Sequence, residues 1–218
     1  MVVKIICCLI LGYICGLFPT AWLIGRRKKT DLRQRGSGNL GTTNVMRTLG
    51  PKAGVLTYIG DALKGVLPIL AVWLWLANEP AHLLMYQLYT GMGAMLGHCF
   101  PFFLKFKGGK GIATMTGVML AIHFPIGLIG VSIFFFSLIV IRYVSVSSLL
   151  MSFSYALMFI MGAATDHLAA DPVSMVHIII LCTLMYVLTL YSHRANILRL
   201  INGTEDRKNI FKKRVRKR

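Results

Sequence analysis

Acidic residues are scarce in this sequence. It has 7 Asp and Glu against 24 Lys and Arg among 218 residues, and its formal net charge is +17. Only 14% of the residues are charged while 56% are hydrophobic, a balance that excludes an ordinary soluble domain. Such a basic chain could bind nucleic acid, but its long apolar runs argue against that partner. The composition therefore predicts a polytopic membrane protein.

Several motifs of familiar chemistry are also lacking. The five cysteines form no Cys-x-x-Cys pair and no disulfide spacing: Cys7, Cys8, Cys15, Cys99 and Cys182. We read them as small apolar side chains in helices and expect no disulfide. The sequence contains no nucleotide-binding Walker loop, no metal-ligand cluster and no Ser/His/Asp or Cys/His motif. We therefore expect neither a cofactor nor a metal.

The apolar segments predict an all-α fold of about seven transmembrane helices. We place the spans at residues 5–24, 53–77, 83–104, 111–141 (as two spans), 148–164 and 173–191. At about 1.5 Å per residue, residues 111–141 are too long for one comfortable span and short for two. We split them at His123-Phe124-Pro125, because a single crossing would place Arg142 and the basic C-terminal segment outside.

The positions of the basic residues support this layout. All of the 24 Lys and Arg except Lys4 and Lys64 fall at residues 25–52, 105–110, 142 and 194–218. These are the connections that the layout places in the cytoplasm, with the N-terminus outside and the C-terminus inside. We interpret residues 1–205 as one transmembrane domain and residues 206–218 as a basic cytoplasmic tail attracted to anionic lipid headgroups.

The segment 97–114 has the composition of an anion-binding loop. It interleaves three lysines with three glycines before a predicted helix: Lys105, Lys107, Gly108, Gly109, Lys110 and Gly111. Glycines let backbone N–H groups converge on an oxyanion, and the helix starting near Gly111 offers a positive dipole end. The alternative is an ordinary positive-inside loop whose lysines only set the topology.

The other cytoplasmic connections carry similar groups. They supply Ser37, Asn39, Thr43, Asn44 and Arg47 in the first, Ser145, Ser147 and Ser148 in the third, and His193, Asn196 and Arg199 in the last. Hydroxyl, amide and guanidinium groups can all bind a phosphate. Two plainer interpretations stay open, a solvated turn for the first connection and helix capping by the serines of the third.

Two ionisable residues lie within the second span. Asp61 and Lys64 are three residues apart, a spacing that allows mutual neutralisation in a helix. Either a structural pair or a substrate contact would account for them. We interpret His98, next to the glycine-rich segment, as a structural hydrogen-bonding residue.

Taken in order, these motifs resemble those of the bacterial acyl-phosphate:glycerol-3-phosphate acyltransferases. The resemblance rests on Ser37-Gly38-Asn39 through Asn44 and Arg47, Gly97-His98 with Phe100-Pro101, Phe106-Lys107-Gly108-Gly109-Lys110-Gly111 with Ala113-Thr114, Tyr143-Val144-Ser145, and His193-Arg194 with Asn196-Ile197 and Arg199-Leu200. It covers all the cytoplasmic connections and nearly the full length. The sequence departs from the family pattern at Leu40 and Thr42, where Pro or Val and Ala are commoner, and in its longer basic tail.

The resemblance implies a multi-pass acyltransferase of the bacterial inner membrane with its active site facing the cytoplasm. Its substrates would be glycerol 3-phosphate and a long-chain acyl phosphate, and its products lysophosphatidic acid and phosphate. Membrane lipids would surround it, with no nucleic-acid partner, and we expect a monomer. By analogy the catalytic residues are Ser37, His193 and Asn196, and the substrate-binding residues are Ser37, Asn39, Thr43, Asn44, Arg47, Lys107, Gly108, Gly109, Lys110, Ser145, His193 and Asn196. Gly108 and Gly109 would supply backbone donors to the acyl phosphate.

The sequence also bears on the mechanism. No histidine stands in the His-x-x-x-x-Asp spacing that the common glycerolipid acyltransferases use as an acid/base dyad. We therefore expect the glycerol hydroxyl to attack the acyl carbonyl directly and to lose its proton to a substrate phosphate oxygen, with His193 as the best protein candidate for a base. A phosphate transporter is the main rival, although we find none of the inverted repeats typical of transporters. A purely scaffolding protein would leave the Gly/Ser/Asn loops unexplained.

Overall fold

The computed structural model describes residues 1–165 and 171–208, and these form a bundle of helices. In chain order the helices are α1 (Val2–Gly16), α2 (Thr20–Arg27), α3 (Thr42–Leu49), α4 (Pro51–Leu76), α5 (Pro80–Cys99), α6 (Ile112–Ile122), α7 (Phe124–Ile141), α8 (Val144–Ala164), α9 (Pro172–Ser192) and α10 (Arg194–Ile201). Helix α1 packs along α5, α4 packs against α6, and α7, α8 and α9 follow one another side by side. The all-α prediction is confirmed.

The first apolar segment is broken, whereas we expected one continuous span over residues 5–24. Helix α1 ends at Gly16, and α2 begins at Thr20 after Pro19, which has no N–H to donate and interrupts the backbone ladder. The Phe18 carbonyl oxygen in this break accepts a hydrogen bond from Lys64 Nζ of α4 at 3.0 Å. The buried lysine therefore stabilises the break.

Four glycines bring α1 and α5 into backbone contact. They stand four residues apart on each helix, Gly12 and Gly16 on α1 and Gly93 and Gly97 on α5. A Cβ on Gly12 would lie 2.0 Å from the Thr90 carbonyl oxygen, and one on Gly97 would lie 2.2 Å from that of Tyr13. Small residues at this spacing let membrane helices approach closely, so the interface excludes even alanine.

The predicted break at His123 is confirmed. Helix α6 ends at Ile122 and α7 begins at Phe124, and His123 Nδ1 accepts the Ile126 N–H at 3.3 Å as an N-cap. Other predicted boundaries were wrong by several residues. The third predicted span ends at Cys99, before Phe100-Pro101, and not at residue 104. Helix α8 begins at Val144 and not at residue 148, and the stretch 25–50, which we described only as polar, contains α3.

Five stretches of the described residues are long and apolar enough to cross a bilayer, the first of them made of α1 and α2 together: Val2–Arg27, Pro51–Leu76, Phe124–Ile141, Val144–Ala164 and Pro172–Ser192. The chain is thus a multi-pass membrane protein by length and composition. Helix α6 has 11 residues and extends about 16 Å at the usual helical rise, less than a typical hydrocarbon core. The count of seven spans and the orientation of the termini stay predictions.

The buried ion pair of α4 gives a stability prediction. Asp61 Oδ1 and Lys64 Nζ are 2.8 Å apart, and these residues are only 1% and 6% exposed. Asp61→Asn leaves a buried ammonium group without its counterion, and we expect the free energy of unfolding in detergent to fall by about 3–5 kcal/mol. The double variant Asp61→Asn/Lys64→Met should lose less than Asp61→Asn alone. If the double variant loses the sum of what Asp61→Asn and Lys64→Met lose singly in denaturant titrations, the two residues do not stabilise each other.

Candidate active site

Glu205 is the centre of a polar cluster at one end of the bundle. Its carboxylate accepts hydrogen bonds from Ser145 Oγ at 2.7 Å, Asn196 Nδ2 at 2.6 Å and Arg199 Nε at 2.8 Å. The Glu205 side chain is only 8% exposed. Burial alone would raise the pKa of Glu205, but these three hydrogen bonds hold the pKa below its ordinary value. A buried carboxylate thus joins the N-terminus of α8 to α10.

Lys110 adds the glycine-rich segment to this cluster. Its ammonium group donates a hydrogen bond to Asn196 Oδ1, while Asn196 Nδ2 donates one to the Glu205 carboxylate. Burial lowers the pKa of Lys110 to about 8, with Glu205 opposing the shift and the positive charges of Arg199 and Arg47 adding to it. A further negative charge beside Lys110 would relieve this strain between like charges, so the site suits an anionic ligand.

His193 lies at the end of α9, 2% exposed, beside Lys110. Its Nδ1 is 2.9 Å from the Thr189 carbonyl oxygen, which can only accept, so Nδ1 carries the proton and Nε2 is an acceptor. Burial, together with the charge of Lys110, lowers the pKa of His193 to about 4. The imidazole is therefore neutral at pH 7 and is a poor proton acceptor.

The first connection reaches the cluster through Arg47. Arg47 lies near the C-terminal end of α3, and its Nη2 is 2.7 Å from Asp206 Oδ2. Ser37 and Asn39, which we also predicted to bind substrate, lie in the loop before α3, and Thr43, a third predicted residue, is the second residue of α3. Of these, Ser37 is exposed.

Asn44 holds that loop in place. Its Nδ2 lies within 3.2 Å of the carbonyl oxygens of Leu32, Arg35 and Asn39, and its Oδ1 accepts the Ser37 N–H at 2.9 Å. The amide is 3% exposed and fully engaged within the protein. In this structure Asn44 therefore positions the loop, whereas the sequence suggested a direct contact with substrate.

Gly108 and Gly109 have a different role here from the one we predicted. Their N–H groups donate to the carbonyl oxygens of Cys99 and His98, at 3.0 Å and 3.1 Å, so this geometry does not offer them to a phosphate. A Cβ on Gly108 would lie 2.0 Å from the His98 carbonyl oxygen, and one on Gly109 would lie 2.0 Å from His98 Nε2. The two glycines allow the segment to pack against the end of α5, next to Lys110.

The backbone around these glycines is unusual. Lys105 and Phe106 both adopt left-handed conformations, with φ of 55° and 57°, and Gly111 has φ of 82° immediately before α6. Left-handed non-glycine residues persist only where the surrounding structure imposes them, and they are common at functional sites. Helix α6 begins at Ile112, as the sequence predicted. Lys107 is exposed beside this turn.

The serines of α8 do not cap the helix. Helix α8 begins at Val144 after Tyr143, without a side-chain cap, and Ser145 donates to Glu205 instead. Ser147 and Ser148 donate to the carbonyl oxygens of Tyr143 and Val144, one turn earlier. The capping interpretation is therefore wrong, and Ser145 alone of the three is shown to reach the polar cluster.

Asp61 and Lys64 belong to a second polar group under the glycine-rich segment. His98 Nδ1 is 3.7 Å from Asp61 Oδ1, and these side chains line a cavity of about 20 Å³ that also reaches Gly108 and Gly109. Together with the bond from Lys64 to Phe18, this geometry favours the structural interpretation of the pair. His98 packs closely against Gly109, but its buried Nδ1 has no hydrogen-bond partner among the described residues, so the hydrogen-bonding role that we expected is not seen at this atom.

Sequence reasoning missed Glu205 and Asp206. We treated Glu205 only as the end of the domain and Asp206 as the start of the tail, yet contacts continue to Lys208, whose N–H donates to the Arg142 carbonyl oxygen at 2.8 Å. Two adjacent acids in a segment otherwise rich in Lys and Arg were the available signal. The rest of the predicted tail, residues 209–218, lies outside the described residues.

Among residues 1–165 and 171–208, no group of three or more His, Cys, Asp or Glu could hold a metal ion.

Fold and cluster together define a multi-pass membrane protein with a buried polar site, suited to an anion, at one end of its helices. The model of the glycerol-3-phosphate acyltransferase family matches residues 6–203. The glycerol-3-phosphate acyltransferase of Geotalea daltonii is 39% identical over 94% of this chain and 97% of its own length. That of Bacillus subtilis is 39% identical over 90% and 94%.

Solved structures agree with the sequence comparisons. The chain resembles the crystal structure of PlsY, an integral membrane glycerol 3-phosphate acyltransferase, in its glycerol 3-phosphate form, with a TM-score of 0.80 and 34% identity over 94% of this chain and 95% of that one. For the lysophosphatidic acid form of PlsY the TM-score is 0.78 and the identity 33%, over 93% and 94%. This chain belongs to the glycerol-3-phosphate acyltransferase family. The resemblance and the enzyme class inferred from its motifs are confirmed.

The central carboxylate gives a second prediction. Glu205→Gln keeps the size of the side chain but removes the negative charge to which Ser145, Asn196 and Arg199 donate hydrogen bonds. Because hydrogen bonds to charged groups are the stronger ones, we expect the free energy of unfolding in detergent to fall by about 1.5–3 kcal/mol. Glu79→Gln, in the turn between α4 and α5 where Glu79 pairs with Lys4, is the matched control. Equal effects of the two variants in a denaturant titration would contradict a special role for Glu205.

Proposed function

We propose that this protein transfers a fatty acyl group from acyl phosphate to the sn-1 hydroxyl of glycerol 3-phosphate. The observation that carries the proposal is the convergence of Lys110, Ser145 and Asn196 on one buried cluster, from three separate connections. Family membership and the glycerol 3-phosphate and lysophosphatidic acid forms of PlsY support it. The products are lysophosphatidic acid and inorganic phosphate.

The cluster supplies binding and charge stabilisation. Lys110 and Arg47 bind phosphate oxygens, Ser145 and Asn196 orient the substrates, and Ser37, Asn39, Thr43 and Lys107 complete the site. The glycerol oxygen bonds to the acyl carbon, and the bond from that carbon to the phosphate oxygen breaks. Phosphate is a good leaving group, so positioning and electrostatics suffice.

The attacking hydroxyl gives its proton to a phosphate oxygen of a substrate. We assign the proton to the substrate because His193, the best protein candidate, is unsuited as a base. Its pKa of about 4 is far below the pH at which it would have to accept a proton. Neutral Nε2 of His193 instead accepts a hydrogen bond that orients the glycerol hydroxyl. Asn196 assists by fixing Lys110 beside it.

The membrane arrangement is part of the proposal. Seven spans place the N-terminus outside and the polar cluster at the cytoplasmic face of a bacterial inner membrane, where a lipid acyl phosphate and a soluble phosphate ester can meet. The basic connections support this orientation through the positive-inside rule. The proposed active unit is a monomer.

A direct assay tests the activity. Purified protein is mixed with glycerol 3-phosphate and palmitoyl phosphate, and lysophosphatidic acid and phosphate are measured, with palmitoyl-CoA as the alternative donor. Equimolar release of both products with palmitoyl phosphate supports the proposal. Phosphate uptake by proteoliposomes without acyl transfer would support the rival transporter, and acyl transfer from palmitoyl-CoA alone would refute the choice of donor.

The role of His193 leads to a kinetic prediction. His193→Gln retains hydrogen-bonding groups but cannot act as a base, so we expect kcat to fall by less than about 100-fold, the lower range of a general base's contribution. His177→Gln, at a histidine in the opposite half of α9 that bonds Tyr89, should leave kcat unchanged. A collapse of kcat with an unchanged KM for glycerol 3-phosphate would make His193 the base.

Lys110 gives a pH prediction. Below its pKa of about 8 the ammonium form predominates and attracts phosphate, and above it the charge is lost. The KM for glycerol 3-phosphate should therefore rise as the pH increases through about 8. Lys110→Arg, which stays charged, should show no such rise. The same pH dependence in both proteins would exclude Lys110 as its source.

A further inference from the structure

Asp206 contacts the guanidinium group that we assign to the substrate phosphate. Asp206 Oδ2 lies 2.7 Å from Arg47 Nη2, and the side chains are 72% and 36% exposed. A carboxylate at this distance occupies the place that a phosphate oxygen would take against the same guanidinium group. The predicted tail begins at Asp206, so the sequence alone gave it no part in the site.

The chain on both sides of Asp206 is anchored. Glu205 is buried and accepts hydrogen bonds from three side chains, and the Lys208 N–H donates to the Arg142 carbonyl oxygen at 2.8 Å. These anchors keep the Asp206 backbone beside Arg47, while its exposed side chain can rotate away from the guanidinium group without breaking either of them. Its effective concentration at the guanidinium group is high, although the ion pair itself is exposed.

We infer that Asp206 competes with the phosphate of glycerol 3-phosphate for Arg47 and so sets the affinity of the site. The inference rests on the proposed function, which makes Arg47 a phosphate-binding residue. Asp206, rather than Glu205, is the carboxylate that yields, because Glu205 has three hydrogen bonds and little exposure whereas Asp206 is open to solvent. Phosphate carries more charge than a carboxylate, so the exchange favours the substrate.

This competition weakens substrate binding without touching the chemical step. Removing the charge of Asp206 should lower the KM for glycerol 3-phosphate and leave kcat unchanged, since Arg47 no longer has to leave a partner. Exposed ion pairs contribute little, so we expect a KM about two- to fivefold lower at low ionic strength. The difference should shrink in high salt, which screens the exposed pair.

The test compares wild type with Asp206→Asn in the acyl-transfer assay and in a titration of glycerol 3-phosphate binding without an acyl donor. Glu79→Gln, in the turn between α4 and α5, removes one negative charge outside the site and should leave the KM unchanged. A lower KM and tighter binding in Asp206→Asn alone support the inference. An unchanged or higher KM overturns it, and a higher value would mean that Asp206 positions Arg47 for the substrate.

A double-variant cycle shows whether Asp206 acts through Arg47. In an Arg47→Gln background, Asp206→Asn should no longer raise kcat/KM, because the competing partner is absent. A gain of the same size in that background overturns the inference, since it would come from general electrostatics. If wild type forms no lysophosphatidic acid, the proposed function fails, and the binding titration still decides whether Asp206 opposes glycerol 3-phosphate.

Discussion

The carboxylate of Glu205 is the interaction on which the polar end of the bundle depends. The positive charges of Arg199 and Arg47 disfavour the charged form of the partly buried Lys110, and Glu205 opposes this effect while accepting three hydrogen bonds. It also joins segments far apart in the sequence. One carboxylate thus offsets the repulsion among the basic groups that the proposed anionic substrate would contact.

Close packing of helices complements this electrostatic anchor. The glycine-rich segment reaches the cluster because Gly108 and Gly109 fit against the end of α5, leaving Lys110 directed to Asn196. On the other side of the segment, Asp61 and Lys64 stabilise the break after α1. The site is therefore a product of backbone proximity as much as of charge.

Sequence patterns predicted the helices and the break at His123, and the structure brings Lys110, Ser145 and Asn196 together in one polar cluster. Apolar runs and charge asymmetry report burial and sidedness, and these properties are local to each segment. The break after Gly16 escaped because Pro19 lies within an otherwise apolar run and the ammonium group that stabilises it comes from α4. The sequence did not predict that the N–H groups of Gly108 and Gly109 are engaged, or that Glu205 is central to the cluster. Both features depend on which distant residues become neighbours in the fold.

The glycine contacts between α1 and α5 have a consequence for how the N-terminal helix can move. Thr90 faces Gly12 and Ala94 faces Gly16, with no room for a single methyl group at either point. Sliding α1 along α5 by one turn, so that Gly12 faces Ala94, would bring Cys8 opposite Thr90, where there is no room for its side chain. The two helices are fixed in one register, so any rearrangement that admits a substrate must carry them together as a rigid pair.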